Sequence, residues 1–412
     1  VSHPADTIYE RKEGDDMSNI ARRPNGQWRA RYRDRQGAEF SKHFSRKLDA
    51  QAWLDSVTTA VQTGTYVDPN KGRTSIGTWA RQWLAGQAHL KPSTYERYAG
   101  IVSAHIEPRW CDVLLTDVSH ADVQGWVSAL AATKSAATTR KIHRVLSLIL
   151  SLAVKDGRLA RNPALGINLP RVVTREHRYL THVQVFALAD AAAAPADPSK
   201  HRRPEERVHD EYRLVVLFLA YTGVRFGEMA ALRVRRIDFL RRRAMIAESV
   251  TLVRSEQVWG TPKGHERREV PIPRFLIDEL AHQVQGKQPD DLVFTGIRGG
   301  GALRVQIFRR AAFDRAAQAI RLPGLHPHEL RHTAASLAIA EGANVKVVQQ
   351  MLGHKSATMT LDQYGHLFGD QLDDVADAMD AAVARARTAD AGTSELGQLV
   401  ALPTAATGRN EP

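Results

Sequence analysis

Two turn-rich segments, TGTYVDPNKGRTS at 63–75 and ARNPALGINLPRVVTREHR at 160–178, divide this sequence into stretches that cannot share one continuous core. Proline and glycine at such density punctuate regular structure. A chain of 412 residues also exceeds what one ordinary hydrophobic core serves. Several domains are therefore expected: a flexible tail over 1–17, a small domain over 18–62, a linker over 63–75, a helical domain over 76–159, a linker over 160–178, a large domain over 179–387 and a disordered tail over 388–412. Met17 offers another possible start, which would make the first residues dispensable.

The first domain is strongly basic. Residues 22–47 carry nine Arg or Lys against two acids, with Trp28, Tyr32, Phe40 and Phe44 interleaved. QWRARYRD alternates large and basic side chains at period two, the pattern of a strand. Gln36-Gly37 fits a turn, EFSKHF a second strand and LDAQAWLDSV a short helix. Arg29, Arg31, Arg33 and Lys42 would give the sheet a basic face suited to a DNA groove; a charged, solvated edge that resists aggregation is the competing reading.

From Ile76 the period becomes helical. WARQWLAGQ, STYERYAGIVSAHI, SHADVQGWVSAL and SAATTRKIHRVLSLILSLAVKDG predict four helices, with N-caps at Ser93 and Ser119 and a stop at Gly157. The large domain reads as mixed. A helix near 211–222 leads into TGVRFGEMAALR, and two strand-like runs, MIAESVTLV and REVPI, flank the turn GTPKGHE. Further helices follow, the last with Leu372, Val375, Met379 and Val383 in a stripe. RRR at 241–243 reads as a solvated turn.

Charge and cysteine content narrow the partners. Against 45 acidic residues stand 57 basic ones, a net charge of +12 that suits a polyanion. Cys111 is the only cysteine, which excludes an intrachain disulfide and a thiolate zinc cluster. No apolar run reaches the length of a membrane span, and the polar N-terminus lacks a secretory core. A reducing cytoplasm and no membrane partner are expected.

Six residues carry the chemistry: Arg225 in TGVRFGE, Lys263 in TPKG, His328 and Arg331 in HELRH, His354 in LGH and Tyr364 in DQYGH. Two guanidiniums grip phosphate oxygens bidentately without losing charge. Gly223 and Gly227 beside Arg225 permit close backbone approach. His328 and Arg331, at i and i+3, can face one ligand, and Pro327 suits the first turn of their helix. A phenol titrates near 10, so it needs a base and a positive field to attack at neutral pH. HELRH also fits the H-E-x-x-H pattern of zinc proteases. Arg331 beside the metal and the lack of a third ligand close in sequence speak against that reading. His332 is assigned a structural hydrogen bond.

The region from about 172 to 385 resembles the catalytic domain of the tyrosine recombinases, the lambda-type integrases. YTGVRFGEMAAL is similar to their box I, and HELRHTAASLAIAEGANVKVVQQMLGHKSATMTLDQYGHL to their box II. Glu329 departs from the family's commoner Asp. The four-helix region resembles their core-binding domain, and 18–62 the AP2-like arm-binding domain of phage integrases.

The resemblance implies a multidomain, mainly α fold with small β-sheets: an N-terminal sheet and helix, a four-helix core-binding domain and a mixed α+β catalytic domain. It implies site-specific integration and excision of DNA by strand exchange, through a 3′-phosphotyrosyl intermediate and a Holliday junction. Tyr364 would be the nucleophile. Arg225, Arg331 and His354 would brace the phosphorane, Lys263 would protonate the leaving 5′ oxygen and His328 would take the phenol proton. Glu228 would support the arginines. No metal and no cofactor are required.

The implied partners are double-stranded DNA at core and arm sites, three further protomers, a host DNA-bending protein and an excisionase, in the nucleoid of a bacterial cell. The last helix would dock on a neighbouring protomer or pack on its own domain. A Xer-type resolvase, a type IB topoisomerase-like enzyme and a DNA-binding regulator that cuts nothing remain the alternatives.

Overall fold

The computed structural model describes residues 18–33, 37, 39–63, 71–173, 177–194, 208–262, 267–296, 301–368 and 372–390, with backbone alone at 62, 208–210, 372–375 and 389–390. The expected tails at 1–17 and 391–412 lie outside the described residues. By contact the chain divides into two compact units, Val1–Arg175 with Leu252–Glu256, and Glu176–Thr251 with Gln257–Pro412.

The first unit begins with three antiparallel strands, β1 (Ser18–Arg22), β2 (Trp28–Arg33) and β3 (Glu39–Phe44), in spatial order β1-β2-β3. β1 was not expected, because SNIAR is exposed along nearly its whole length and shows no alternation. Helix α1 (Lys47–Thr63) packs on one face, where Ala30, Tyr32, Ala50 and Leu54 are buried. Tyr32 stacks on Phe40 and meets the edge of Trp53. Successive strand residues point to opposite faces, so Arg29, Arg31 and Arg33 occupy the open one.

Helices α2 (Ile76–Ala85), α3 (Pro92–Ile101), α4 (Glu107–Trp110), α5 (His120–Thr133) and α6 (Ala136–Lys155) follow, with a π-helical turn at Val102–Ile106 joining α3 to α4. Trp79, Trp83, Trp110 and Trp126 pack with Ile142, Leu146 and Leu150 in one core. Ser119 caps α5 through a reciprocal bond with Asp122, and Gly157 turns the chain at φ +68 beyond α6. The expected cap at Ser93 is wrong. α3 starts at Pro92, which needs no donor at the first helical position, and Lys91 precedes it without a side-chain cap. The expected linker after α6 is partly structural, since Ala164 and Ile167 enter this core. Asn162 Nδ2 donates to Ser147 O and Ser151 Oγ.

The second unit holds α7 (His182–Ala193), α8 (Val208–Thr222) and the short α9 (Phe226–Ala230). Strands β4 (Ile237–Asp238), β5 (Arg243–Ile246), β6 (Ser249–Val253), β7 (Glu256–Gly260) and β8 (Arg268–Pro271) come next in the chain, the stretch Leu252–Glu256 at the end of β6 and start of β7 being grouped with the first unit. β4-β5-β8 form one antiparallel sheet, and β6-β7 pair separately. MIAESVTLV therefore spans the end of one strand and all of another, and EQVWG adds a strand that the sequence pattern did not disclose. Arg241, Arg242 and Arg243 are exposed, with Arg242 at φ 52, as a solvated turn requires.

Helices α10 (Ile277–Val284), α11 (Val305–Phe308), α12 (Asp314–Ala319), α13 (Pro327–Ala340), α14 (Val345–Leu352), α15 (Ala357–Tyr364) and α16 (Leu372–Asp390) complete the unit. α8 lies at its centre, buried from Leu214 to Ala220 and packed on α7 and α13. Met379 and Val383 on α16 are 65% and 49% exposed.

Candidate active site

α8 leads into the first segment of the candidate site. At Gly223, φ is +66, and a Cβ there would lie 2.8 Å from Leu352 Cδ2 and 3.3 Å from Ala334 Cβ. Only glycine lets this turn press against α13 and α14. Arg225 stands at the N-terminus of α9. The Glu228 carboxylate accepts from Arg225 N at 2.9 Å and from Arg225 Nη1 at 2.9 Å.

Glu228 also accepts from Arg268 Nη2 at 2.6 Å and from Arg268 Nη1 at 3.3 Å. Burial works against its charge, yet the bonds and charges of Arg268 and Arg225 outweigh it and hold the carboxyl below its ordinary value. The sequence disclosed Arg225 and Glu228 but not Arg268. An arginine beside a strand has no pattern that separates it from a solvated one.

α13 supplies Arg331, which is 3% exposed. Its Nη1 donates to Gly223 O at 2.7 Å and its Nη2 to Leu352 O at 2.6 Å. A guanidinium has more donors than these two bonds use, so it can still meet a phosphate. Burial, then Arg225 and Arg268, pull its pKa down to about 9, still above neutrality.

His354 follows Gly353, whose φ of 65 ends α14 in a left-handed cap. Its Nδ1 lies 2.9 Å from Thr360 Oγ1. Burial, then Arg331 and Arg225, lower its pKa to about 4, so the ring is neutral at neutral pH.

Tyr364 closes α15 and is fully buried. Burial pushes its phenol up to about 12, against the pull of Arg331. The phenol oxygen lies 2.8 Å from His332 Nδ1. Burial, then His177 and His328, bring His332 down to about 3. A neutral ring with Nδ1 bare accepts the phenolic hydrogen.

His177 stacks on His332 at 4.1 Å, and His328 meets it edge-on at 5.1 Å. The expected structural hydrogen bond of His332 thus exists, but its partner is the candidate nucleophile itself. His328, the expected base, is exposed on the first turn of α13. It lines an open cavity of about 560 Å³ with Phe226, Gln306, Arg309, Arg310 and His326. Lys263, between β7 and β8, lies outside the described residues.

In HELRH the carboxylate has a partner of its own. Glu329 Oε2 accepts from His326 N at 2.7 Å, which makes this carboxylate the cap of α13. Among the described residues no group of three or more His, Cys, Asp or Glu is placed to hold a metal ion. None of the described helices is long and apolar enough to cross a membrane.

The basic N-terminal residues divide between two faces. Arg29, Arg31 and Arg33 share the open face, and Glu39 lies 3.4, 3.8 and 3.7 Å from them. Lys42 pairs in register with Ala30 and so belongs to the helix-covered face, where its ammonium extends over Phe44 at 5.5 Å. The grouping of these four residues on one face is therefore corrected: pairing across the sheet decides the face, and sequence spacing within β2 could not show it.

Residues 178–370 match the model of the phage integrase family. A putative prophage phiRv2 integrase of Mycobacterium tuberculosis is 26% identical, across 83% of this chain and 89% of that protein. The tyrosine recombinase XerC of Corynebacterium efficiens is 30% identical over 266 residues, 63% of this chain and 76% of that protein. Among solved structures, the Tn1549 transposon integrase in complex with a circular intermediate DNA superposes with a TM-score of 0.60 at 16% identity. That match covers 75% of this chain and 99% of the other.

Proposed function

Because the chain belongs to the phage integrase family of tyrosine recombinases, which cleave and rejoin DNA, we propose that it integrates and excises a mobile DNA element, with Tyr364 as its nucleophile. One observation carries the reading: Arg331 donates to the carbonyls of Gly223 and Leu352, each two residues before Arg225 and His354, and its neighbour His332 bonds the Tyr364 phenol.

In the proposed reaction Tyr364 Oη forms a bond to a scissile phosphorus and the bond to the 5′ oxygen breaks. The phosphate stays on the tyrosine as a 3′-phosphotyrosyl ester, so no external energy source is consumed. The phenolic proton passes to His328, and Lys263 protonates the departing 5′ oxygen. Arg225 and Arg331 offset the charge that develops on the phosphorane, the kind of fixed electrostatic help that is usually the largest catalytic effect. His354 adds a hydrogen bond from its ring.

Tyr364 is fully buried, so attack requires α15 to carry the phenol away from His332 toward the bound phosphate. Before that movement the phenolic hydrogen is held by His332 Nδ1. DNA binding is the expected trigger, because it alone brings the phosphate.

The substrate would be two duplexes bound by four protomers, exchanging strands in two rounds through a Holliday junction. The exposed Met379 and Val383 on α16 fit docking on a neighbouring protomer. The open face of β2 would hold arm DNA, with a host bending protein and an excisionase setting direction. A nicked duplex bearing the core site, taken from the junctions of the element that encodes the chain, tests the proposal. Wild type is expected to leave a covalent protein–DNA band on a denaturing gel, and Tyr364→Phe none. A bound site without any band would favour a regulator that cuts nothing.

A further inference from the structure

We propose that Arg268 is a positioning residue of the strand-cleavage site, the clamp that sets Glu228 and the His354 turn at one fixed separation. The inference rests on the reading of Arg225, Arg331 and His354 as the groups that hold the scissile phosphate.

Arg268 opens β8, immediately after the residues that carry Lys263. Its side chain is 11% exposed. Two of its nitrogens face the Glu228 carboxylate, at 2.6 and 3.3 Å. A third, Nε, donates to Met351 O at 3.1 Å. One planar fork therefore spans two segments that the chain separates by more than a hundred residues. A lysine could satisfy either end but not both, because it offers a point charge in place of a rigid fork.

The end of α14 shows why the second contact matters. The last carbonyls of a helix lack partners within it and carry its negative pole. Here Met351 O is taken by Arg268 and Leu352 O by Arg331. Two arginines from different segments thus fix the final turn from which His354 projects. Gly353 closes the arrangement: a Cβ there would lie 2.9 Å from Arg268 Cδ and 3.0 Å from its Nε. The turn and the guanidinium are thus in close contact, and a side chain at 353 would have to displace the arginine.

On the other side Glu228 passes the constraint to Arg225 through both its backbone N and its Nη1. Glu228 is 1% exposed, and a carboxylate so buried must stay paired. Loss of Arg268 would leave it Arg225 as partner. Arg225 would then be drawn toward Glu228 and away from phosphate. The predicted lesion is therefore slower chemistry on DNA that binds normally.

Cleavage of the nicked core-site duplex, followed as covalent adduct against time over a range of DNA concentrations, separates these effects. Arg268→Met is expected to lower the rate at saturating DNA about 100-fold, and Arg268→Lys about tenfold, with the half-saturating concentration within about twofold of wild type. A double variant with Glu228→Gln should lose no more than the worse single one, since both act through one linkage.

Thermal unfolding monitors folding, and Arg268→Lys decides the matter if Arg268→Met does not fold. Normal rates in both variants, a loss that appears only as weaker binding, or losses that simply add would overturn the inference. A wild-type chain that forms no Tyr364-dependent adduct at a bound site overturns the underlying reading, and the inference with it. A normal wild-type adduct beside unimpaired Arg268 variants overturns the inference alone.

Discussion

The Tyr364 phenol has one short polar partner among the described contacts, His332 Nδ1 at 2.8 Å. Leaving a buried hydroxyl unsatisfied costs about 1–3 kcal/mol, so His332 sets how firmly the resting nucleophile is held. His332→Leu should open α15 more often, speeding amide hydrogen exchange in 357–364 by at least about tenfold. His332→Asn, whose amide reaches the position of Nδ1, should stay near wild type. Equal exchange in wild type and His332→Leu would show that the bond does not hold the tyrosine.

Most of the candidate site was legible at this scale because each residue type announces its chemistry. Arg225, Arg331, His354 and Tyr364 are of that kind, and all converge in one unit. Arg268 and the role of His332 were not legible. Their importance lies in partners that are distant in sequence, and neither residue type reveals a partner.

Local rules explain the elements well, and the exceptions have local causes. Proline at the first helical position displaced the cap expected at Ser93. β1 escaped notice because an exposed edge strand needs no apolar alternation. Glu329 shows the rule at work beside the chemistry, since its carboxylate closes the first turn of α13 on His326 N. Glu329→Ala should therefore lower stability by about 1 kcal/mol, while Glu329→Gln retains most of the cap. Urea unfolding measures the difference. If Glu329→Ala kept full stability yet abolished cleavage, the carboxylate would be part of the chemistry and the zinc geometry would return.

At the scale of the whole molecule, the two turn-rich segments and the change of hydrophobic period suggested several cores, and the separate cores of the helical region and of the second unit fit that expectation. The sequence could not assign faces in the N-terminal sheet. Lys42 and Arg31 look equivalent there, yet only Arg31 lies on the open face. If that face holds arm DNA, Arg31→Ala should weaken arm binding and reduce the salt dependence by about one unit of slope, as expected for one lost phosphate contact. Lys42→Ala should change the slope less. Matching slopes for the two variants would remove the open face from the account.

The central claim is that Tyr364 becomes joined to a 3′ phosphate. The most direct measurement isolates the covalent adduct from the nicked duplex, digests it and maps the DNA-bearing peptide by mass spectrometry, while polynucleotide kinase labels the released strand. The account predicts that the nucleotide sits on Tyr364 and that the released 5′ end accepts label without phosphatase treatment. An adduct on another residue, or a 5′ end that already carries phosphate, would contradict it.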